Sequence, residues 1–514
     1  MGSFSRLLAL GLLLLQPFVA SFGVPHYFQS EPLTRRDLSP AKVQTELGAL
    51  ISKNSTIFGP TDPRFPNATE RYNTAAPPHI EVVVIPGLES DIPTIVKYCN
   101  ENSIDFFAIN RAHARTYTVG SFTGLMIDMG GLLNIEIQPD NKSAWFQGGT
   151  YDGQVMSYLW EKGFVATTGS CDCVGMMGPA LGGGHGRNEG LYGLISDNFV
   201  NLNVVLADGT AIRVNETSHA DLLWAMKGAG HNFGIVTSFE LKIYPRQVDT
   251  WYYHNYIWKG DKLEEAFEKA NTFHDNGNTP VNMAFNYATF LLNETISKTE
   301  AIISWSFAYR GSAEDAEKLL VPFNEIEAVY EETGDVSFPE ISEVQATAID
   351  DPTCARNNSW IMSTANLKIY NITTTRQVYD LNNEYIRKYP QLLNPSVLHE
   401  GYANVAVRRF KSEDSAYPFR DYNHLTSFQV EVPPGSNLTP VALQWAADLR
   451  TLWNDGQPDV QPSNYVNYAT GLESLPSIYG YEEWRLQKLL DLKKNYDPQN
   501  RFRYYNPLIS EGKA

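Results

Sequence analysis

At 514 residues, 43% of them apolar, the chain is long enough for two large domains or about three average ones with a substantial buried core. Its 58 acidic and 40 basic side chains give a formal charge of −18, which repels a phosphate backbone and argues against a nucleic-acid partner. Four cysteines are too sparse for a disulfide-built scaffold, and the ten scattered histidines offer no zinc-ligand pairing, so no metal is expected.

The first residues, Arg6 followed by the apolar run 7–15 and small residues near Ala20 and Gly23, read as a secretory signal over 1–23. No later run reaches the ~18 apolar residues of a spanning helix, so a secreted protein without a membrane segment is expected. Asn-x-Ser/Thr sequons at Asn54, Asn67, Asn141, Asn215, Asn293, Asn357, Asn371 and Asn437 predict N-linked glycans at exposed positions. Arg35-Arg36 fits a processing site or two solvated charges equally well.

Residues 24–74 hold a first helix and a loop. Ser39 caps that helix, Pro40 sits where its missing N–H is harmless, and Val43, Leu47 and Ile51 share one face. A buried strand at 81–85, a helix at 92–102 and a strand at 106–109 follow, then strands at 125–129, 135–138 and 144–147 and a helix at 153–162. Eight glycines from Gly169 to Gly190 then make an ordinary helix or strand too costly, so the stretch serves close approaches and unusual backbone. Its contiguous Gly182, Gly183 and Gly184 match neither the dinucleotide fingerprint nor the phosphate-loop motif. Strands at 199–206 and 211–214 flank the hairpin turn Asp208-Gly209, a short helix covers 221–226, and a strand at 235–244 closes this half. From Trp251 the texture changes to strands at 251–258, 283–292, 301–310, 360–369 and 425–432, with helices at 261–274, 313–321, 375–388 and 440–454. That series favours an antiparallel sheet covered on one side. A last helix at 481–495 stops before Pro498.

Several separated motifs occur in a fixed order: Asn110 to Arg115 around His113, Cys171-Asp172-Cys173-Val174-Gly175, Gly182 to Gly186, Asp197-Asn198, Gly228 to Gly234, Tyr465 to Tyr468, and Tyr496 to Phe502. Together they resemble the FAD-linked oxidases of the vanillyl-alcohol-oxidase superfamily, in the berberine-bridge-enzyme-like branch that includes secreted carbohydrate oxidases and secondary-metabolite oxidases. The resemblance covers roughly residues 70–245 and 460–508. It implies an α+β fold: a two-subdomain, PCMH-type FAD-binding domain at 75–245, a substrate domain at 246–459 with a large antiparallel sheet covered by helices, and a C-terminal return at 460–514.

The implied cofactor is FAD. Backbone N–H groups of a glycine-rich turn can donate to its pyrophosphate, which assigns Gly182, Gly183, Gly184 and Gly186 to cofactor contact together with Asn110, Arg111, Ala112, Ala114 and Arg115. Val174, Gly175, Gly178, Asn198, Gly234, Ile235, Val236 and Asn467 join the set through the resemblance. By the same resemblance His113 bonds the flavin 8α-methyl and Cys171, four residues before Gly175, bonds ring position 6, a bicovalent attachment. Neutral imidazole is a nucleophile, and a thiolate is a better one if neighbouring donors lower its pKa. Arg111-Ala112 stands where the family has two glycines, so a left-handed turn there is strained. Cys173 is a rival thiol.

Tyr468 is the expected base and Tyr465 the second choice; a phenol titrating near 10 needs a nearby cation or donor to work at mild pH. Val174 stands where similar enzymes carry a small side chain that admits molecular oxygen. His185 and His231 carry no assigned role. The expected activity is hydride transfer from a small alcohol, sugar or secondary metabolite to flavin N5, with O₂ as acceptor giving H₂O₂. The alternatives are an oxidative cyclase of a secondary metabolite and a flavin-fold binding protein without turnover. An open, aromatic-rimmed groove favours sugars, and a closed apolar pocket favours a phenol or alkaloid.

Overall fold

A computed structural model describes residues 38–510; the expected signal at 1–23 and Arg35-Arg36 lie outside them. The helix Pro40–Glu46 starts at the Ser39 cap, whose side chain accepts from the Lys42 N–H. Strands β1 (Thr56–Phe58), β2 (His79–Ile85), β3 (Phe106–Ile109) and β4 (Thr123–Asp128) form a sheet in the order β1-β2-β4-β3. β2, β4 and β3 run parallel and β1 closes an antiparallel edge. Strand β2 carries a continuous apolar run only over its second half, Val82 to Ile85, where both of its faces are covered. Val82 and Val84 share a core with Ile92, Ile95 and Val96 of the helix Asp91–Glu101, and Val83 shares another with Phe122, Met126 and Tyr504.

Strands β5 (Ile135–Ile137) and β6 (Ser143–Gln147), the short β7 (Phe164–Val165), β8 (Phe199–Val205), β9 (Ala211–Val214), β10 (Ile235–Lys242) and β11 (Tyr244–Pro245) come next. Five of them make an antiparallel sheet in the order β5-β6-β10-β8-β9, while β7 pairs with β11. Within the glycine-rich stretch two short helices, Met177–Leu181 and Glu189–Tyr192, form where no helix was expected, each taking in one glycine, Gly178 and Gly190.

The third layer is a seven-stranded antiparallel sheet built from β12 (Trp251–Trp258), β13 (Met283–Leu291), β14 (Ile302–Tyr309), β15 (Tyr330–Val336), β16 (Trp360–Leu367), β17 (Leu393–Tyr402) and β18 (His424–Glu431). Their order is β15-β12-β14-β13-β17-β18-β16. Strands β15 and β17 were not expected. β15 is an exposed edge without apolar alternation, and Asn394-Pro395 interrupts β17, whose pairing shifts register between Leu393 and Ser396.

Alternation along this sheet decides the architecture. Trp305, Phe307, Phe290, Val397 and Phe428 point to one face and are covered by the helices Leu263–His274, Ala313–Asn324, Ile372–Lys388 and Thr439–Asp455. In the first of these helices Leu263, Ala266, Phe267 and Ala270 recur at i, i+3, i+4 and i+7 and form the buried stripe. Trp305 is fully buried, and truncating it to Ala costs about 3–5 kcal/mol. The side chains between these residues face the opposite way, toward the first two sheets. The chain returns to the first layer at its end, where Arg501 and Arg503 pair with Asp105 at 3.0 and 3.2 Å.

Among the described residues no helix is long and apolar enough to cross a membrane. Asn54, Asn67, Asn141, Asn357, Asn371 and Asn437 are exposed, and Asn215 and Asn293 are half-buried.

Candidate active site

A cavity of about 610 Å³ lies between the loops of the first two sheets and the uncovered face of the third. One wall is the turn after β3, where Asn110, Arg111, Ala112, His113, Ala114 and Arg115 all reach the cavity. A second wall brings Cys171, Val174, Gly175 and Gly178 from the glycine-rich stretch, with Gly234, Ile235 and Val236 beside them. Tyr465, Asn467 and Tyr468 close one end. The third sheet supplies the roof through Tyr287, Thr289, Leu398, Glu400, Tyr402 and Gln429.

Five expected cofactor residues stand outside this lining, for physical reasons. A Cβ on Gly182 would meet Asn467 and Val466, one on Gly183 would meet Tyr417, one on Gly184 would meet Ile195, and one on Gly186 would meet the Thr168 carbonyl. Gly183 and Gly184 have φ of +107° and +86°, so the run is glycine because the chain turns left-handed against packed neighbours. Its amides are already used: Gly182 donates to Pro179, Gly183 to Ala180 and Gly186 to the Glu189 carboxylate. Asn198 is equally committed, donating to the Tyr192 and Leu194 carbonyls and accepting from the Tyr244 hydroxyl.

The turn after β3 is held in place by Asn110, whose Nδ2 donates to the Gly148 and Thr150 carbonyls at 2.9 and 2.8 Å. Ala112 adopts φ +51°, the left-handed conformation that the usual glycines would take freely. The His113 imidazole stacks on Tyr72 with centroids 4.0 Å apart. It is open to the cavity and enclosed from bulk solvent. Burial, with the cations of Arg115, Arg356 and Arg111 nearby, depresses its pKa to about 3 and keeps the ring neutral. The Arg111 guanidinium lies 4.5 Å over the Tyr151 ring, and its Nε donates to the Cys173 carbonyl.

Cys173 is bridged to Cys354, which leaves Cys171 as the free thiol at the cavity wall and Cys99 buried elsewhere. Burial and the Asp152 carboxylate push the Cys171 thiol up to about 12, the reverse of the expected lowering. The three sulfurs of Cys171, Cys173 and Cys354 lie within 4.8 Å of one another, but the bridge withdraws two of them from metal binding.

The acid–base group is the feature the sequence did not announce. Tyr468 donates to both oxygens of Glu400, at 2.9 and 3.0 Å, and Arg115 lies 4.5 Å over its ring. Burial and the neighbouring Glu400 carboxylate raise the Tyr468 phenol well above its ordinary value, so the expected depression is absent. Glu400 itself is pushed up to about 7 by burial, opposed by the Tyr468 hydrogen bond and the Arg115 charge. A group titrating there suits proton abstraction at mild pH better than either tyrosine. The Tyr465 oxygen accepts from Asn467 Nδ2 at 2.6 Å and from the His185 N–H at 3.3 Å, and burial still raises it.

Behind Tyr465, His185 faces the cavity with Nδ1 on Glu189 at 2.9 Å and Nε2 on the Tyr417 hydroxyl at 2.7 Å. His231 also lines the cavity, bonded to the Gly178 carbonyl and stacked on Tyr505. Arg71 and Tyr72 were missed altogether. They sit in a loop without periodicity and are held at the site by the Arg71 carbonyl accepting from the Asn357 N–H, the Tyr72 N–H donating to the Ala112 carbonyl and the Tyr72 hydroxyl donating to Gln429.

The cavity fits FAD by its unpartnered polar groups. Arg71, 5% exposed, leaves Nε and Nη2 without protein partners at the cavity, as Arg115 leaves Nε. Buried donors of this kind call for an anionic, hydrogen-bonding guest. Gly178 has nothing within 4 Å of where a Cβ would stand, so its bare backbone opens onto the free volume.

Residues 80–215 match a family model described as an FAD binding domain. The FAD-linked oxidoreductase anuG of Penicillium roqueforti is 52% identical over 476 residues, which covers 93% of this chain and 94% of that protein. A chitooligosaccharide oxidase structure superimposes with a TM-score of 0.76 at 20% identity, over 91% of this chain and 100% of its own. Glucooligosaccharide oxidase from Acremonium strictum, a protein with 6-S-cysteinyl, 8α-N1-histidyl FAD, superimposes with a TM-score of 0.76 at 19% identity, over 91% of this chain and 98% of its own. At those identities the two structures share the fold alone with this chain.

Proposed function

Since the chain belongs to the FAD-linked oxidoreductases, we propose that it is a berberine-bridge-enzyme-like secreted oxidase that removes hydrogen from a hydroxyl-bearing small molecule held under the third sheet. His113 and Cys171 would hold the FAD at two points, and Arg71 and the turn from Asn110 to Arg115, which line the cavity, would supply its polar contacts. When bound, the flavin would supply hydride acceptance and electron transfer to molecular oxygen, with hydrogen peroxide as the product.

The observation that carries this reading is the Tyr468–Glu400 pair facing a cavity lined by both His113 and Cys171. Glu400 takes the hydroxyl proton directly or through Tyr468, whose own proton already points at the carboxylate. Arg115 over the Tyr468 ring steadies the negative charge of that pair. The roof mixes Leu398 and Tyr287 with Thr289 and Gln429, which suits a neutral substrate with apolar area and a few hydroxyls, an alcohol, a sugar or a secondary metabolite. Val174, small and on the cavity wall, leaves room for oxygen. The N-terminal apolar run and the exposed sequons support export and N-linked glycans.

The test is a yellow colour that stays with the chain after acid precipitation, followed by peroxide release across a panel of sugars, alcohols and phenols. A protein that stays colourless when produced with ample riboflavin removes the reading.

A further inference from the structure

The bridged pair Cys173–Cys354 has a third sulfur beside it: the free Sγ of Cys171 lies 3.6 Å from the sulfur of Cys173 and 3.5 Å from that of Cys354. We propose that these three cysteines form a thiol–disulfide exchange centre whose pairing decides whether the cavity offers a thiol to the flavin, an inference that rests on the reading of Cys171 as the second flavin link. The Cys171 thiolate attacks Sγ of Cys354, a Cys171–Cys354 bond forms, the Cys173–Cys354 bond breaks, and the electron pair leaves on Cys173. Cys173 takes up a proton in place of the one Cys171 gave up, so no oxidant or reductant is consumed. Attack on Cys173 is unproductive, because residues separated by one position close a strained ring. Cys171 stands beside the bond rather than in line with it, so exchange begins with a rotation about its Cα–Cβ bond.

The two pairings differ in what the cavity sees. Cys173 is 4% exposed and absent from the cavity lining, whereas Cys171 lines it. In the exchanged form no free thiol faces the ring and only His113 remains to bond it. Once the Cys171 sulfur is bonded to carbon it cannot exchange, and the Cys173–Cys354 bridge is fixed. Either pairing keeps the glycine-rich stretch tied to the segment around Cys354. That tie is reinforced by the Asp172 N–H on the Thr347 carbonyl and by Arg187 on Gln345 and Thr347, so both forms keep the fold. Thiolate at position 171 is scarce at neutral pH, which makes exchange slow there and about tenfold faster for each pH unit of increase.

The full-length protein is produced in a riboflavin-requiring host with ample and with scarce riboflavin, held at pH 8 or 9, quenched in acid, alkylated with a maleimide and mapped as non-reduced peptides. The flavin-poor protein is expected to accumulate the Cys171–Cys354 peptide with alkylated Cys173, about tenfold faster at pH 9, while flavin-loaded protein keeps Cys173–Cys354. An intact Cys173–Cys354 bridge with alkylated Cys171 after incubation of flavin-poor protein at pH 9 overturns the proposal. Exchange in flavin-poor protein, with no flavin on the Cys171 peptide of loaded protein, supports the exchange and removes the second flavin link instead. As an independent check, Cys173→Ser incubated with oxidised glutathione, which takes up the two electrons, is expected to form a Cys171–Cys354 bridge and carry flavin on the His113 peptide alone; a folded Cys173→Ser with both thiols still free after that oxidation overturns the proposal.

Discussion

Replacing Glu400 with Gln keeps the shape of the side chain and removes its titration. In the folded cavity this carboxyl is raised from its ordinary 4.5 to about 7, which at ~1.36 kcal/mol per pKa unit amounts to about 3 kcal/mol against the charged form. The unfolded chain releases the proton near 4.5 while the folded chain retains it to about 7, so wild-type stability falls as pH rises through that window and the loss is complete above it. Glu400→Gln lacks this loss, and every other titrating group is common to both proteins. The stability of the variant relative to wild type is therefore expected to grow by about 3 kcal/mol between pH 4 and pH 8, read by urea unfolding of the flavin-loaded proteins. In the same pair, anaerobic bleaching of the flavin by substrate is expected to slow by about 10²–10⁴-fold and to lose its acid limb near neutrality. A stability gap that stays flat with pH would refute the burial reasoning. A gap that grows alongside undiminished bleaching would remove Glu400 from proton abstraction.

Tyr468→Phe removes the donor that holds Glu400 down, so the acid limb of flavin bleaching is expected to move about one pH unit upward when followed from pH 5 to 10. Asn198→Ala deletes hydrogen bonds to Tyr192, Leu194 and Tyr244 and is expected to cost about 2–4 kcal/mol in chemical unfolding with an unchanged flavin spectrum. Gly184→Ala places a Cβ 2.7 Å from Ile195 at φ +86° and is expected to destabilise by about 2–4 kcal/mol, while flavin absorbance per folded molecule stays as in wild type.

What the sequence disclosed depends on how local the signal is. Phe106–Ile109, Ala211–Val214 and Trp251–Trp258 were legible to the residue because apolar runs and the Asp208-Gly209 turn mark their ends. His113 and Cys171 were legible through motif register, and both line the cavity. Glu400 was not, because it is one carboxylate on β17, a strand whose opening Asn394-Pro395 and register shift hide its alternation. Only by counting along that alternation does Glu400 fall on the same face as Leu398 and Tyr402. The glycine triplet misled for the opposite reason. Contiguous glycine signals unusual backbone, but composition does not say whether a ligand or the protein itself fills the space beside it, and here Tyr417 and Ile195 do.

The same reasoning explains why motif residues that miss the cavity still bear on catalysis. His113 belongs to the first layer and Glu400 to the third, so their relative placement rests on the contacts that join layers. Tyr72 donates its N–H to the Ala112 carbonyl, Trp360 donates to the Asn73 side chain, Cys173 is bridged to Cys354, and Arg420 grips Asp197 through two buried contacts of 2.8 and 2.9 Å. Removing one partner of that buried pair strands a charge at a cost of about 3–5 kcal/mol. Asp197-Asn198 thus recurs beside the glycine-rich stretch as a fastening between layers. A fastening that slips by an ångström separates Glu400 from His113 across the cavity as surely as a change to either one.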